Sequence, residues 1–143
     1  MSKFQNQLKQ GKKYEKIALN YLEYDTVEHK EGYFKEYDFE ITNKTEKIKI
    51  EVKSDRQAAK TGNLCIEYEC KNKPSGIAAS TADFWMYFIV YPNRDECYKI
   101  PFTDLKEIVK DCRRVCGGDG YHSKMYLINK DTVNKYIIRM NTN

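Results

Sequence analysis

The chain reads as a mixed α/β domain in which helices flank a central sheet, and three observations lead to that class. Apolar residues near the N-terminus recur at the helical period. Two runs, 33–42 and 47–53, alternate between apolar and charged positions. A later run, 84–91 (FWMYFIVY), is apolar throughout. At 143 residues the chain has the size of one domain with a substantial core. No internal repeat, low-complexity tract or linker divides it.

Taken in order, Ser2 to about Glu23 is expected to be a helix with Ser2 as N-cap. Phe4, Leu8, Gly11, Ala18 and Leu22 form its inward stripe. Glu15 falls inside that stripe. Because burying an unpaired charge is costly, Glu15 either sits at the stripe's edge with a solvated head or is paired or close to a cation, and both readings stay open. In 33–42, Tyr37, Phe39 and Ile41 point one way and Glu36, Asp38 and Glu40 the other. Asn43 and Lys44 supply a turn. In 47–53, Ile48, Ile50 and Val52 oppose Lys49, Glu51 and Lys53. The two runs form a hairpin, and in matching register Asp38, Glu51 and Lys53 share one face.

The run 63–70 is a third strand, with Leu64, Ile66 and Tyr68 opposite Glu67 and Glu69. Glu67 would face Asp38 and Glu51 if this strand paired with the second. Lys71 to Gly76 is a basic loop with strong turn residues, and 78–83 is a short helical turn. The run 84–91, closed by Pro92, is a strand buried on both faces and central to the sheet. Residues 96–100 form a further strand. Pro101 and Thr103 open a helix to about Val115, with Leu105, Ile108, Val109 and Cys112 inward. Gly117 to Gly120 breaks the chain, 124–128 is a strand, and 131–138 is a closing helix.

Composition narrows the function. The net charge of +4 is spread along the chain and permits a polyanion partner without demanding one. Twelve Tyr could stack on bases or contact phosphates, although most should be core or half-buried strand positions. No stretch is long and apolar enough to span a bilayer. The Lys-rich N-terminus lacks the apolar core of a signal peptide. Five Cys, an odd number, read as reduced thiols. Cys112 and Cys116, with Cys97 and His122 within reach, form an alternative zinc set. Their spacing of four would put both thiols on one helix face, but the close Cys-x-x-Cys knuckle is missing.

Asp38, Glu51 and Lys53 supply two carboxylates and an ammonium, with Glu15 on the preceding helix. This arrangement resembles the PD-(D/E)XK nuclease superfamily, the fold of restriction endonucleases and archaeal Holliday-junction resolvases. There a helix carrying Glu precedes a hairpin whose first strand begins with Asp and whose second ends in Glu/Asp-x-Lys. Here Glu15, Asp38 and Glu51-Val-Lys53 occupy those places in order, and the likeness covers roughly residues 11–90. Tyr37 stands where the pattern has Pro, its most variable position. The segment Ser75-Gly-Ile-Ala-Ala-Ser-Thr-Ala-Asp83, after Asn63-Leu-Cys-Ile-Glu-Tyr-Glu69, also looks like small nuclease-like proteins of phages and viruses.

The resemblance implies a restriction-endonuclease-like fold and Mg²⁺-dependent hydrolysis of DNA, with Mn²⁺ able to substitute. Mg²⁺ takes hard oxygen ligands and keeps several waters, so Asp38, Glu51 and the Val52 carbonyl would suffice. Glu15 would complete an outer shell or serve a second metal. Lys53 could position the attacking water, stabilise the pentacovalent phosphate or act as general base. Unless the metal outweighs the carboxylates it stays protonated, which suits the first two roles. Ser54, Arg56, Gln57 and Lys60 after the motif, and Lys71, Lys73, Ser75 and Thr81 in the later loop, are candidate phosphate contacts. Each is equally readable as part of a solvated loop. Small size without a recognition domain favours branched or junction DNA, and symmetric resolution of a junction would need a homodimer. The expected location is cytoplasmic, or the host-cell interior if the chain is viral. The alternatives are a salt-bridge ladder across two strands and a non-catalytic nucleic-acid-binding or interaction module retaining the fold.

Overall fold

The computed structural model describes residues 2–138 apart from 31, 33, 35, 119 and 121. Tyr33 and Lys35 of the expected 33–42 strand, and Asp119 within the Gly117 to Gly120 break, lie outside the described residues; of the described remainder of that strand, only the part from Phe39 onward forms one. Two sheets and three α-helices make a mixed α/β fold. Helix α1 is Lys3–Leu19, and it starts where Ser2 predicts. The Gln5 N–H donates to Ser2 Oγ at 3.1 Å and the Ser2 N–H to Gln5 Oε1 at 3.0 Å, a reciprocal cap that satisfies two otherwise orphaned donors. The helix stops four residues earlier than expected, in tight turns from Tyr21 to Ala18 and Leu22 to Leu19. Its expected inward stripe is only half seated. Ala18 is buried and Gly11 and Leu22 are half-buried, whereas Phe4 and Leu8 are 61% and 51% exposed; Tyr14, outside the expected stripe, is buried as well.

The larger sheet has six strands: β1 (Thr26–His29), β2 (Phe39–Asn43), β3 (Glu46–Asp55), β6 (Phe84–Val90), β7 (Asp95–Pro101) and β10 (Ile137–Ile138), adjacent in that order. The β2–β3 hairpin has the expected register, Phe39 opposite Ile50 and Ile41 opposite Ile48. β6 lies parallel to β3, and the other pairings are antiparallel. α1 covers one face through Tyr14, Ala18, Phe39, Ile50, Met86 and Phe88. A second, antiparallel sheet covers part of the other: β5 (Lys73–Pro74), β4 (Asn63–Cys70), β9 (Ser123–Asn129) and β8 (Arg113–Gly117), in that order. There Leu64, Ile66 and Ile128 pack against Trp85, Tyr87 and Ile89. β6 feeds both cores with alternate residues, which is why its sequence is apolar without a break. Helix α2 (Ala58–Thr61) joins β3 to β4, and α3 (Phe102–Ile108) follows β7.

Three expectations are corrected. The 63–70 strand does form, but it pairs with β9 in the second sheet and not with β3, so Glu67 does not face Asp38 and Glu51. The helix expected to reach Val115 ends at Ile108. A 3-10 turn (Val109–Asp111) follows, and Arg113–Gly117 is recruited as β8 by pairing with β9. Cys112 and Cys116 therefore do not share a helix face. The closing helix is a 3-10 helix, Lys130–Tyr136, that ends in β10. Gly76 is required where the 71–83 loop crosses β4: its φ is +50°, and a Cβ there would meet the Glu67 carbonyl oxygen.

Candidate active site

β3 outruns its hairpin partner. The β2 register ends at Phe39 opposite Ile50, so residues 51–55 keep β6 on one side and an open edge on the other. Asp38 stands immediately before β2 and fills that edge. The Val52 N–H donates to Asp38 Oδ2 at 2.7 Å, satisfying a donor that β2 no longer reaches. The N–H and C=O of a strand residue leave from the same edge, so the Val52 carbonyl also faces Asp38. The backbone on both sides of Asp38 is fixed: its N–H donates to Ile50 C=O at 2.9 Å, and its C=O accepts from the Lys30 N–H at 3.0 Å. Glu51 and Lys53 project from the face they share with their β6 neighbours, Trp85 and Tyr87. Glu51 is only 7% exposed. Lys53 is exposed, with Nζ 5.8 Å from the Trp85 ring centre. Glu15 arrives from α1, its Oε1 3.9 Å from His29 Nδ1.

The carboxyl groups act on one another. Burial pushes the Glu51 carboxyl well above its ordinary range; the Lys53 ammonium opposes this, and Asp38 and Glu15 reinforce it. Asp38 is near enough to hydrogen-bond with Glu51. The Glu15 carboxyl is pushed up to about 7, first by burial and then by repulsion from Asp38, against the pull of Lys12. Two carboxyls, Glu15 and Glu51, whose proton affinity is raised in part by a third acid beside them, form an electrostatically unfavourable cluster unless a cation joins them. Among the described residues, no three His, Cys, Asp or Glu side chains are grouped so as to hold an ion by themselves. The residues that could hold a hard divalent cation are Asp38, Glu51 and the Val52 carbonyl, with Glu15 one step out.

Compared with protein-family models, with curated proteins and with solved structures, the chain matches none. The resemblance to PD-(D/E)XK nucleases thus rests on the sequence motif alone.

The remaining candidates divide by location. The Ser54 hydroxyl accepts from Gln10 Nε2 at 2.9 Å and ties β3 to α1. Arg56 and Lys60 lie beyond the end of β3, where with Lys13 and Arg94 they line a cleft of about 750 Å³. The Gln57 N–H donates to Asp55, which caps α2. Thr81 is exposed next to the segment that leads into Asp38: its N–H donates to Glu36 C=O at 3.0 Å, and Ser80 Oγ donates to the same oxygen at 2.9 Å. Lys71 and Lys73 are exposed at the edge of the second sheet, away from β3. Ser75 is buried, its hydroxyl lacking a partner among the described residues, and so does not present the loop-surface contact expected of it.

His29 and Lys12 flank Glu15 and were not singled out from the sequence. Lys12 could have been found, because it lies three residues before Glu15 on the same helix face. His29 closes a strand whose only partly buried residue is Val27, so no alternation marks it. No described helix is long and apolar enough to cross a membrane.

Proposed function

We propose that this protein is a metal-dependent endonuclease that hydrolyses phosphodiester bonds in DNA, built on a restriction-endonuclease-like helix and hairpin. The observation that carries the reading is Glu51, a nearly buried carboxylate beside Asp38 with the Lys53 ammonium next to it. A structural ion-pair ladder would leave such groups solvated, because an isolated buried carboxylate is costly. When bound, Mg²⁺ would neutralise charge on the scissile phosphate and make a coordinated water more acidic.

The chain's own residues do the rest. Asp38, just before β2, and Glu51, on β3, present hard oxygens side by side. The Val52 N–H fixes one Asp38 oxygen at 2.7 Å and so orients the carboxylate. Lys53, exposed beside Glu51, can hold the attacking water and balance charge growing on the phosphate. Glu15, with its carboxyl pushed up to about 7, can take or give a proton near neutral pH. Shape in place of sequence is the cue this reading gives the protein. The test is a panel of duplex, branched and single-stranded DNA with Mg²⁺ or Mn²⁺. Cleavage by the wild type that is lost in Asp38→Asn, Glu51→Gln and Lys53→Ala supports the reading. DNA binding without hydrolysis of any substrate would replace it with a non-catalytic binding module.

A further inference from the structure

Helix α1 divides two grooves, both with basic residues, of which only the first has an apolar edge and carboxylates. On that flank Phe4, Leu8 and Gly11 line a groove of about 820 Å³ that reaches Glu15 and Asp38 and also holds Lys12, Lys16 and Lys30. On the other, Asn6, Gln10 and Lys13 line a cleft of about 680 Å³ that also includes Arg56. That cleft continues into the one walled by Lys13, Arg56, Lys60 and Arg94. Its acidic lining residue, Asp95, already accepts the Tyr14 hydroxyl at 3.0 Å. At 100° per residue these two sets of helix positions point to nearly opposite sides.

The helix tip between the grooves is exposed and held in shape. Every residue from Ser2 to Lys9 is exposed. The reciprocal Ser2–Gln5 cap closes its first turn. Gln10 Nε2, 2.9 Å from Ser54 Oγ, anchors it to β3. About 10 Å of helix therefore projects beyond the anchor. Phe4 and Leu8, four residues apart, form an apolar edge on the flank facing the carboxylates. An apolar edge between a cationic cleft and a phosphate-cutting centre has the form of the wedges that proteins drive between base steps.

We infer that the first two turns of α1 separate strands and that the substrate is forked DNA. The strand to be cut passes Phe4 and Leu8 towards Asp38 and Glu51, and the phosphates of the other strand lie along Lys13, Arg56, Lys60 and Arg94. This rests on the nuclease reading above. Charge favours DNA over a second copy of the chain as the occupant. α1 carries Lys3, Lys9, Lys12, Lys13 and Lys16 against Glu15, so two such helices would repel each other while a polyanion is drawn in.

The test reads binding in EDTA, so it does not depend on cleavage. Fluorescence anisotropy compares a forked duplex with a blunt duplex of the same paired sequence, and 2-aminopurine at the first paired position reports unstacking. The wild type should bind the fork at least about 10-fold more tightly and brighten the probe, from the few kcal/mol at stake in unstacking. Phe4→Ser/Leu8→Ser should lose both effects while keeping its melting temperature, since both side chains are exposed. Arg56→Glu/Lys60→Glu should weaken fork binding and flatten its salt dependence. Equal affinity for fork and blunt duplex, or an unchanged probe signal in Phe4→Ser/Leu8→Ser, overturns the inference. So does a wild-type dimer, by light scattering, that the same substitutions split. Fork binding with unstacking but no Mg²⁺-dependent cleavage would defeat the nuclease reading alone. Cleavage without fork preference would defeat this one alone.

Discussion

Two strands of this molecule carry nearly the same charged alternation and come to opposite ends. β3 holds Glu51-Val-Lys53 and β4 holds Glu67-Tyr-Glu69, each with every second residue charged. On β4 the charges remain at a half-exposed surface, where Glu69 is paired with Lys124 at 2.9 Å. On β3 the Glu51 carboxylate is 7% exposed, and its nearest acids, Asp38 and Glu15, raise its proton affinity. The difference is positional. β4 faces the large sheet with its apolar side and solvent with its charged side, whereas the charged side of β3 faces Trp85 and Tyr87 at an edge that β2 has vacated. Alternation alone announces an amphipathic strand. A carboxylate kept on the covered side, at a cost, announces a site.

The largest effect that separates the two strands should be catalytic. Asp38→Asn, Glu51→Gln and Lys53→Ala should each lower Mg²⁺-dependent DNA cleavage by at least about 100-fold, the usual loss when a group that stabilises developing charge is removed. Glu67→Gln and Glu69→Gln should stay within about twofold of wild type, the scale of a surface change away from the chemistry. Single-turnover rates on one labelled substrate check both. A loss in the β4 variants as deep as in the β3 variants would erase the distinction.

Next in size is a reversal of the usual stability effect. The Glu15 carboxyl ordinarily titrates at 4.5 and is pushed up to about 7 in the folded chain. Between those values the native state binds more protons than the unfolded state, so stability falls as pH rises through that window. Glu51 is shifted in the same direction. Metal-free Glu51→Gln should therefore melt higher than wild type at pH 8, by about 3 °C or more, the shift that roughly 1 kcal/mol produces in a domain of this size. The difference should shrink towards pH 5. Mg²⁺ or Ca²⁺ should raise the wild-type melting temperature at pH 8, much less at pH 5, and not at all in Glu51→Gln. Differential scanning fluorimetry across pH, with and without the ion, reads all three. A variant less stable than wild type at pH 8 without metal would show that Glu51 is a structural partner and not a strained ligand.

Much of this contrast can be read from the sequence, for reasons tied to range. Strand parity is local, so the common face of Glu51 and Lys53 and the central place of 84–91 follow from periodicity. The parity of 33–42 holds only from Phe39: Asp38 lies just before the strand, at its edge, and Tyr37 packs with Trp85 and not with Phe39 and Ile41. Partner choice is not local. Nothing within Asn63–Cys70 says that it will pair with Ser123–Asn129, so the placement of Glu67 near the site fails together with that pairing. Cys112 to Cys116 has spacing that suits a helix, yet β9 offers an edge and Arg113–Gly117 takes it. Periodicity also cannot say whether an apolar stripe is covered. Phe4 and Leu8 share the helical period of the α1 stripe with Ala18 yet are exposed, whereas Ala18 is buried. The open edge at residues 51–55, which makes the site, is a mismatch in strand length that neither strand records alone.

The smallest effect is the control for the whole comparison. Lys124 and Glu69 meet across β4 and β9, and the hydrogen bond and charge of Glu69 hold the Lys124 ammonium above its ordinary range. Both side chains keep contact with water, so solvent and salt already screen most of their attraction, and ordering two long side chains offsets the rest. Glu69→Gln and Lys124→Ala should each shift the melting temperature by no more than about 1 °C, the scale expected of an exposed pair. The double variant should show no coupling that survives 0.5 M NaCl, a concentration at which the screening length falls to roughly 4 Å. A salt-resistant coupling would mean that β4 also holds its charges in a low-dielectric setting. Burial of Glu51 would then be an ordinary feature of this fold's strands and would no longer mark a site.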